Sequence, residues 1–385
     1  MLTTNVRRII GDRAQPVSIV LGYEWNYSNP SPLLRRLEAA ESLTAVGGVG
    51  AAVGHSDFDE ILPYKNIRRC NLRANGEVVA YQGEQGFTFT PAVGIDVVVE
   101  IPAFYYRVEN DVPNQRYRYY ITDRKINGFA LHPAFNRPTG AVSRIYVAAY
   151  ETGAGHRSTS GIVPLLNQTR AQFREGARSK GVGWAVNDMA ARLAVTDLMR
   201  MEFANNDVQV AIGTGSTASS GPLASGRTNS VIGSGREAGT NPATVSVVWR
   251  GIENFWGNVW EWLDGLNINN GALWVCTDPA HFADDTTTNY TQLSYSIPTN
   301  LASSFATRQG FDSNMPWANL PSAFTGGSNT TFLCDACWSS TAWRCASVGG
   351  STFNGRNAGV FAYYSSHTSS HTAVNIGARL LYIPQ

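Results

Sequence analysis

Over the first 150 residues apolar and polar positions alternate in short runs, and short alternating runs predict strands rather than helices. Arg7 to Tyr23 has room for one or two strands, whereas Ser31 to Ser42 (SPLLRRLEAAES) reads as a short helix with Pro32 in its first turn. Thr44 to Gly54 is small and Gly-rich, a linker or a loop inside one domain. From Ile61 the pattern is of strands. Ile67–Leu72 and Glu77–Tyr81 flank Asn75-Gly76, the dipeptide of a tight hairpin turn. Ile95 to Glu100 is a β-branched run followed by Pro102–Tyr106, and Tyr117–Thr122 and Ser143–Ala149 have the same character.

Two helices follow. Thr169 is placed to cap one that runs through Arg178 and stops by Gly181. Asn187 is placed to cap a second through Phe203, with Met189, Leu193, Leu198 and Met201 near one face. Thr214 to Thr244 is rich in Gly, Ser, Thr and Asn with little to bury, and predicts a surface loop; Val245 to Asp264 concentrates apolar and aromatic residues and must be core. The expected organisation is a lead-in or attachment segment over 1–54, a β-rich region over 55–150 that is separate or part of the main domain, and a main domain over 151–385.

Composition narrows the function classes. Hydrophobic residues are 43% of the 385 and aromatic residues 11%, enough for a sizeable core. Charged residues are only 15%, against roughly 25% in ordinary soluble domains, so uncharged polar groups carry the surface. A net charge of +1 without a basic run gives nucleic acid nothing to bind electrostatically. There is no apolar stretch of the roughly 18 residues a membrane span needs, and the N-terminus lacks the pattern of a signal peptide. Five cysteines make no disulfide framework, and Cys334-x-x-Cys337 has no second pair to complete a zinc site; ordinary thiols, with room for one disulfide, are expected. His55, Asp57 and Asp59, and separately Asp278, Asp284 and Asp285, fit no calcium or zinc spacing and read as solvated loop charge. No metal site is expected.

The distinctive stretch is 344–382. From Cys345 to Ala378 it contains no Lys, Glu, Gln, Met or Trp, and is built mainly of Ser, Thr, Asn, Gly, Ala, Tyr and His. That palette suits a binding surface, with Tyr as rigid contact area and small polar residues as adaptable hydrogen-bonding groups. Apolar anchors at Val360-Phe361 and Leu380-Leu381-Tyr382, with glycines at turn-like intervals, argue against a disordered tail.

Gly257-Asn258-Val259-Trp260-Glu261-Trp262, together with Gly349-Gly350-Ser351 and Asn375-Ile376-Gly377-Ala378-Arg379-Leu380, resembles the formylglycine-generating-enzyme branch of the C-type lectin fold. Thr352 stands where that family usually has Trp, and Ala378 departs from its GFRL or GGRL ending. Enzymatic members rely on a C-terminal cysteine pair for copper; no cysteine follows Cys345, so no enzyme is expected. The segment resembles more closely the variable region of diversity-generating retroelement target proteins, GGxWxxGxNAGxF and then NIGxRLL. There adenines are miscopied so that AAY codons scatter through NNY, which cannot encode Lys, Glu, Gln, Met or Trp. The resemblance makes Ser351, Phe353, Arg356, Tyr363, Tyr364, His367, Ser369, His371 and Ala373 the ligand-contacting, variable positions, with Asn354 an unmutated template position. Gly257, Asn258, Trp260, Glu261, Trp262, Gly349, Gly350, Asn375, Gly377 and Arg379 are then scaffold, with Glu261 and Asn258 bonding the irregular loops.

Further upstream, ILPYKNIRRCNL, VVVEIPAFYYRVEN, QFREGARSKGVGW and QVAIGTG resemble tail-associated proteins of phages and prophages. Together the resemblances imply an α+β fold, in which a β-rich N-terminal region precedes a C-type lectin-like domain with long irregular loops. They imply a receptor-binding adhesin on a virion tail or of prophage origin, displayed as a homo-oligomer and meeting a host-surface protein or glycan. No cofactor is implied, and structural calcium stays open. The alternatives are a formylglycine-generating-type oxidase and a glycan-binding lectin of fixed specificity.

Overall fold

The computed structural model describes residues 18–52 and 54–385, so most of the stretch expected to hold a strand from Arg7 lies outside the described residues. The chain is β-rich with few helices, compatible with an α+β class. It opens with β1 (Val20–Asn26) and β2 (Arg35–Glu38), paired antiparallel with Gly22 opposite Leu37. The helix expected over Ser31 to Ser42 is therefore not formed. A lone helix of that length is marginal in water, whereas the strand buries Leu34 and Leu37, leaves Arg35 and Glu38 outside, and gives its backbone to β1.

Next come β3 (Arg68–Arg73) and β4 (Val78–Tyr81), joined by the expected Asn75-Gly76 turn. Gly76 has φ +86°, and the Tyr382 hydroxyl, bonded to Asn75 O at 3.2 Å, fills the space a side chain would need. They are followed by β5 (Ile95–Pro102), β6 (Tyr105–Asp111), β7 (Arg116–Thr122) and β8 (Arg144–Ala148), all close to the predicted runs.

Helix α1 (Arg170–Arg178) begins at Thr169 with a capping box, Thr169 Oγ1 accepting from Gln172 N at 3.2 Å and Gln172 Oε1 from Thr169 N at 2.9 Å. After β9 (Trp184–Val186), α2 (Met189–Phe203) is capped by Asp188, one residue beyond the expected Asn187. It is buried from Met189 to Glu202 rather than along one face. Its polar residues are matched instead of solvated. Asp197 meets Tyr23, Arg200 and Asn319, and Glu202 meets Arg250 and Trp249 Nε1.

The last third holds β10 (Trp260–Asn269), β11 (Ala272–Val275), β12 (Thr291–Ser296), β13 (Ala336–Ser339), β14 (Trp343–Gly349), β15 (Gly359–His367), β16 (Ile376–Gly377) and β17 (Leu380–Tyr382). Three main sheets result. The first runs Ala130–Leu131, β6, β7, β1, β2; the second β9, β17, β8, β5, β3, β4. The third runs β12, β11, β10, β14, β15, β13, Ser304–Phe305, with β16 parallel to β10.

This topology crosses both expected boundaries. Residues 1–54 supply β1, which pairs with β7 along its whole length, and β17 at the far end of the chain is sandwiched between β8 and β9. The Gly-rich stretch near residue 50 is a loop inside the fold, with Gly48 and Val49 paired to Gly235 and Arg236. The polar stretch 214–244 also departs from a plain surface loop. Glu253 accepts from Gly226 N and Thr228 N at 2.8 Å and from Thr228 Oγ1 at 2.6 Å, and Ser216, Thr217 and Thr228 are buried. The apolar run after it is core, as expected, with Trp249, Phe255, Trp256 and Trp262 all buried.

Candidate functional site: an aromatic and imidazole row on a buried ion-paired frame

The frame starts at β10. Glu261 is buried in the third sheet, and its Oε1 accepts from Arg379 Nε at 2.8 Å. Arg379 is itself fully buried, and its remaining donors reach Ala148 O, Glu253 O and Asn254 O at 2.9–3.1 Å. One guanidinium thereby ties the end of the chain to β8 and to the turn before β10. Its rigid fork lets it satisfy several acceptors at once.

Asn258, in the left-handed region at φ +58°, bonds loops from both sides: its amide donates to Glu151 Oε2 at 2.6 Å, its carbonyl side-chain oxygen accepts from Leu223 N at 2.7 Å, and its backbone oxygen accepts from Thr352 N. The expectation that Asn258 and Glu261 both hold loops thus divides: Asn258 does so, while Glu261 is engaged by Arg379 and, at 3.6 Å, by the buried Arg192. Trp260 and Trp262 are buried, with Trp262 Nε1 donating to Gln168 O at 3.0 Å. Gly349 and Gly350 both adopt positive φ, which turns the chain out of β14, and Asn375 Nδ2 donates to Ser351 Oγ at 3.4 Å. Gly377 lies beside Glu261 in the parallel pair of β16 with β10.

The nine expected contact positions do not all reach solvent. Consecutive side chains on a strand point to opposite faces, so Tyr363 and Tyr364 on β15 cannot both be displayed. Tyr363 is buried at 4% exposure and Tyr364 is half-buried at the surface. Ser351 is also buried, its hydroxyl donating to Asn354 Oδ1 at 2.9 Å to close the turn. Ser351 and Tyr363 are therefore supporting residues. Arg356 is half-buried and paired with Asp207, with further bonds to Gln209 and Asn329 O, so its guanidinium is held by the scaffold.

The others do gather. The Tyr364 ring stacks on Trp338 (5.5 Å between centroids, 28°) and on His367 (4.2 Å, 20°), and His367 stacks on His371 (4.0 Å, 13°). Trp260 meets Trp338 and Tyr364 edge-on from below, and Trp262 meets His367. Burial, His371 and Arg344 push the His367 imidazole down to about 3, and burial lowers His371, so both rings are neutral near pH 7 and stack without repulsion. Ser369 donates to Asp285 at one end of the row, and Ala373 O accepts from Asn167 N. Phe353 and Val374, each 65% exposed, stand on the two turns that the Asn375–Ser351 bond brings together.

Trp338 was not foreseen as part of this surface. It precedes the 344–382 segment, and only the parallel pairing of β13 with β15, which sets Trp338 opposite Tyr364, brings it there. Asp284 is likewise not solvated loop charge. Burial opposes its ionisation, yet Arg170 and Arg174 hold its carboxyl below the usual range, whereas the neighbouring Asp285 is exposed. All five cysteines are buried and unpaired, and burial pushes the Cys70 and Cys345 thiols up to about 12. Among the described residues no three His, Cys, Asp or Glu side chains converge, and no helix is long and apolar enough to cross a membrane. No protein-family model and no curated protein matches the chain.

Proposed function

We propose that the chain is a ligand-binding display protein of the C-type lectin type, in which the row Trp338, Tyr364, His367 and His371, flanked by Phe353, Ser369 and Ala373, meets a host-surface ligand. The observation that carries this reading is the row itself. Four flat side chains are stacked in one row at the surface, with the Asp285 carboxylate at one end and Arg344 near His367, above a frame that includes the buried Glu261–Arg379 pair. Aromatic and imidazole rings bring large contact area at low entropic cost, and serine hydroxyls adjust to different partners. Exchange of these side chains leaves the Glu261–Arg379 pair and the Asn258 bonds untouched, which is what a diversified surface requires. Weak single patches gain strength from presentation in many copies, as on a virion tail.

The oxidase reading finds less support, because Cys345 lies buried on β14 with its thiol held protonated, and the thiolate is the reactive and metal-binding form. Sequencing the gene across a population of its source separates the variable reading from a lectin of fixed specificity. Substitutions should concentrate at Phe353, Tyr364, His367, Ser369, His371 and Ala373 and spare Gly257, Glu261 and Arg379. An even spread of substitutions along the chain would overturn the proposal.

A further inference from the structure

A second cleft, apart from the row, lies between the first sheet and the 295–322 segment and has a volume of about 240 Å³. Tyr27, just after β1, and Asn110 on β6 line it from one side. From the other side, the short antiparallel pairing of Arg308 with Ala323 and Gln309 with Pro321 brings Arg308 and Ser322 to it. Half-buried Tyr295 and Phe311 add an apolar wall, and Gly310 beside them is bare because a side chain there would meet the Tyr295 ring at 2.0 Å.

The polar groups of this lining are unmatched and open to solvent. Arg308 is exposed and forms no ion pair or hydrogen bond among the described residues; it lies over the Tyr27 ring, 5.0 Å from the centroid. That contact steadies a long side chain and covers one face of the guanidinium, leaving its N–H edge for an acceptor. The Tyr27 hydroxyl, the Asn110 amide and the Ser322 hydroxyl are also without partners among the described residues, and none of them is sealed off, although Tyr27 as a whole is only 8% exposed. Burial holds the Tyr27 hydroxyl in its protonated form, so it can donate. The cleft is lined by no carboxylate; Asp111, which bears on Tyr27 from outside the lining, is bonded to Asn114 and lies 3.8 Å from Arg118.

We infer that this cleft binds a ring-sized monocarboxylate, with the carboxylate on Arg308 and the Tyr27 hydroxyl and the body of the molecule against Tyr295 and Phe311. A planar carboxylate fits the guanidinium fork through parallel N–H bonds. A lone cation offsets a single negative charge, not the roughly two of a phosphate monoester near pH 7. The volume lies below the ~300 Å³ at which clefts begin to take drug-sized ligands, which limits the body to about one ring. Asn110 and Ser322 have donors and acceptors to spare for the hydroxyls of a sugar acid. The site is built from residues outside 344–382 and stands independently of the displayed row.

The test uses the full chain with methyl glucuronide, benzoate, methyl glucoside and inorganic phosphate, binding being followed by calorimetry and saturation-transfer NMR. At least one of the two carboxylates should bind saturably at millimolar concentration: the glucuronide where ring hydroxyls add to recognition, benzoate where the aromatic wall dominates. Phosphate and the uncharged glucoside should bind at least about tenfold more weakly than that carboxylate. Arg308→Gln should weaken it about ten- to hundredfold, the loss of a hydrogen bond to a charged group, and Tyr27→Phe, which keeps the ring beneath Arg308, about fivefold. Because Arg308 is exposed, thermal melts of Arg308→Gln should match the parent chain. Tyr364→Ala should leave the binding unchanged. Failure of both carboxylates to bind saturably, equal binding of phosphate, or an affinity untouched by Arg308→Gln would overturn the inference; if that affinity falls with Tyr364→Ala instead, the carboxylate sits on the row and the display reading stands.

Discussion

Tyr363 and Tyr364 are chemically identical neighbours with opposite duties, and the difference can be measured. Tyr363 is packed beneath β15, so truncation opens a cavity; Tyr363→Ala should cost about 3–5 kcal/mol in urea unfolding. Tyr364 lies on Trp338 and His367 at the surface, and Tyr364→Ala should cost about 1 kcal/mol, the worth of its aromatic pairs, while removing most ligand contact. Equal losses for the two variants would contradict the assignment of one to support and the other to display. Arg379 presents a sharper case. Arg379→Met leaves the Glu261 carboxylate buried without its hydrogen-bonded partner, with only Arg192 at 3.6 Å beside it, and should destabilise by about 3–5 kcal/mol. Adding Glu261→Leu removes that charge but takes from the buried Arg192 the carboxylate it pairs with, so it should recover only a small part of the loss. Recovery should stay incomplete, since the carbonyls of Ala148, Glu253 and Asn254 still lack the guanidinium donors.

The 214–244 loop shows how an element without a core of its own is held. Its central stretch is fastened by the Glu253 carboxylate through the amides of Gly226 and Thr228 and the Thr228 hydroxyl. Hydrogen bonds to a charged group are worth about 1.5–3 kcal/mol, so Glu253→Gln should raise amide hydrogen exchange over 225–229 while β10 and β14 keep their protection. Exchange rising equally in those strands would mean that Glu253 holds the core and not the loop. The same contrast between local and distant control explains what could be read from the sequence. The Asn75-Gly76 hairpin and the Thr169 cap were legible because a turn and a cap are set by residues within a few positions of each other. Leu37 in β2 was misread because its partner, Gly22, belongs to another strand and its helical neighbours spoke louder. Ser351 and Tyr363 are buried although the segment's composition suits a displayed surface, because composition says nothing of which way a side chain faces; the period of two along β15 holds that information for the tyrosines. Trp338 had no local signal at all, since it reaches Tyr364 by a parallel pairing between β13 and β15.

At the scale of the molecule, β1 and β17 bind the ends of the chain into sheets formed by its middle, so local protonation is felt by the entire fold and is expected to register in one cooperative transition. His132 is the group to follow. It is fully buried among Phe104, Tyr106, Phe135 and Trp317, its Nδ1 accepts from Ala134 N at 3.1 Å, and burial, aided by Arg137, pushes it down to about 3. In the unfolded chain the same imidazole titrates near ~6.5. Between those values the unfolded state takes up a proton that the folded state refuses, so the contribution of His132 is complete above about pH 6.5 and is lost as the pH falls toward 3. The slope is up to about 1.4 kcal/mol per pH unit for His132 and less for half-buried His367, whose charge water partly screens. Burial raises the carboxyls of Glu151 and Asp335 and works in the opposite sense, so the total profile mixes both signs. The difference between two proteins does not. His132→Phe keeps an aromatic ring in the same surroundings and removes the proton site; its stability relative to the parent chain should rise steadily as urea unfolding is repeated from pH 6.5 down to pH 4. A difference that stays constant over that interval would show that His132 is protonated in the folded protein, and the assignment of a buried neutral imidazole would fall.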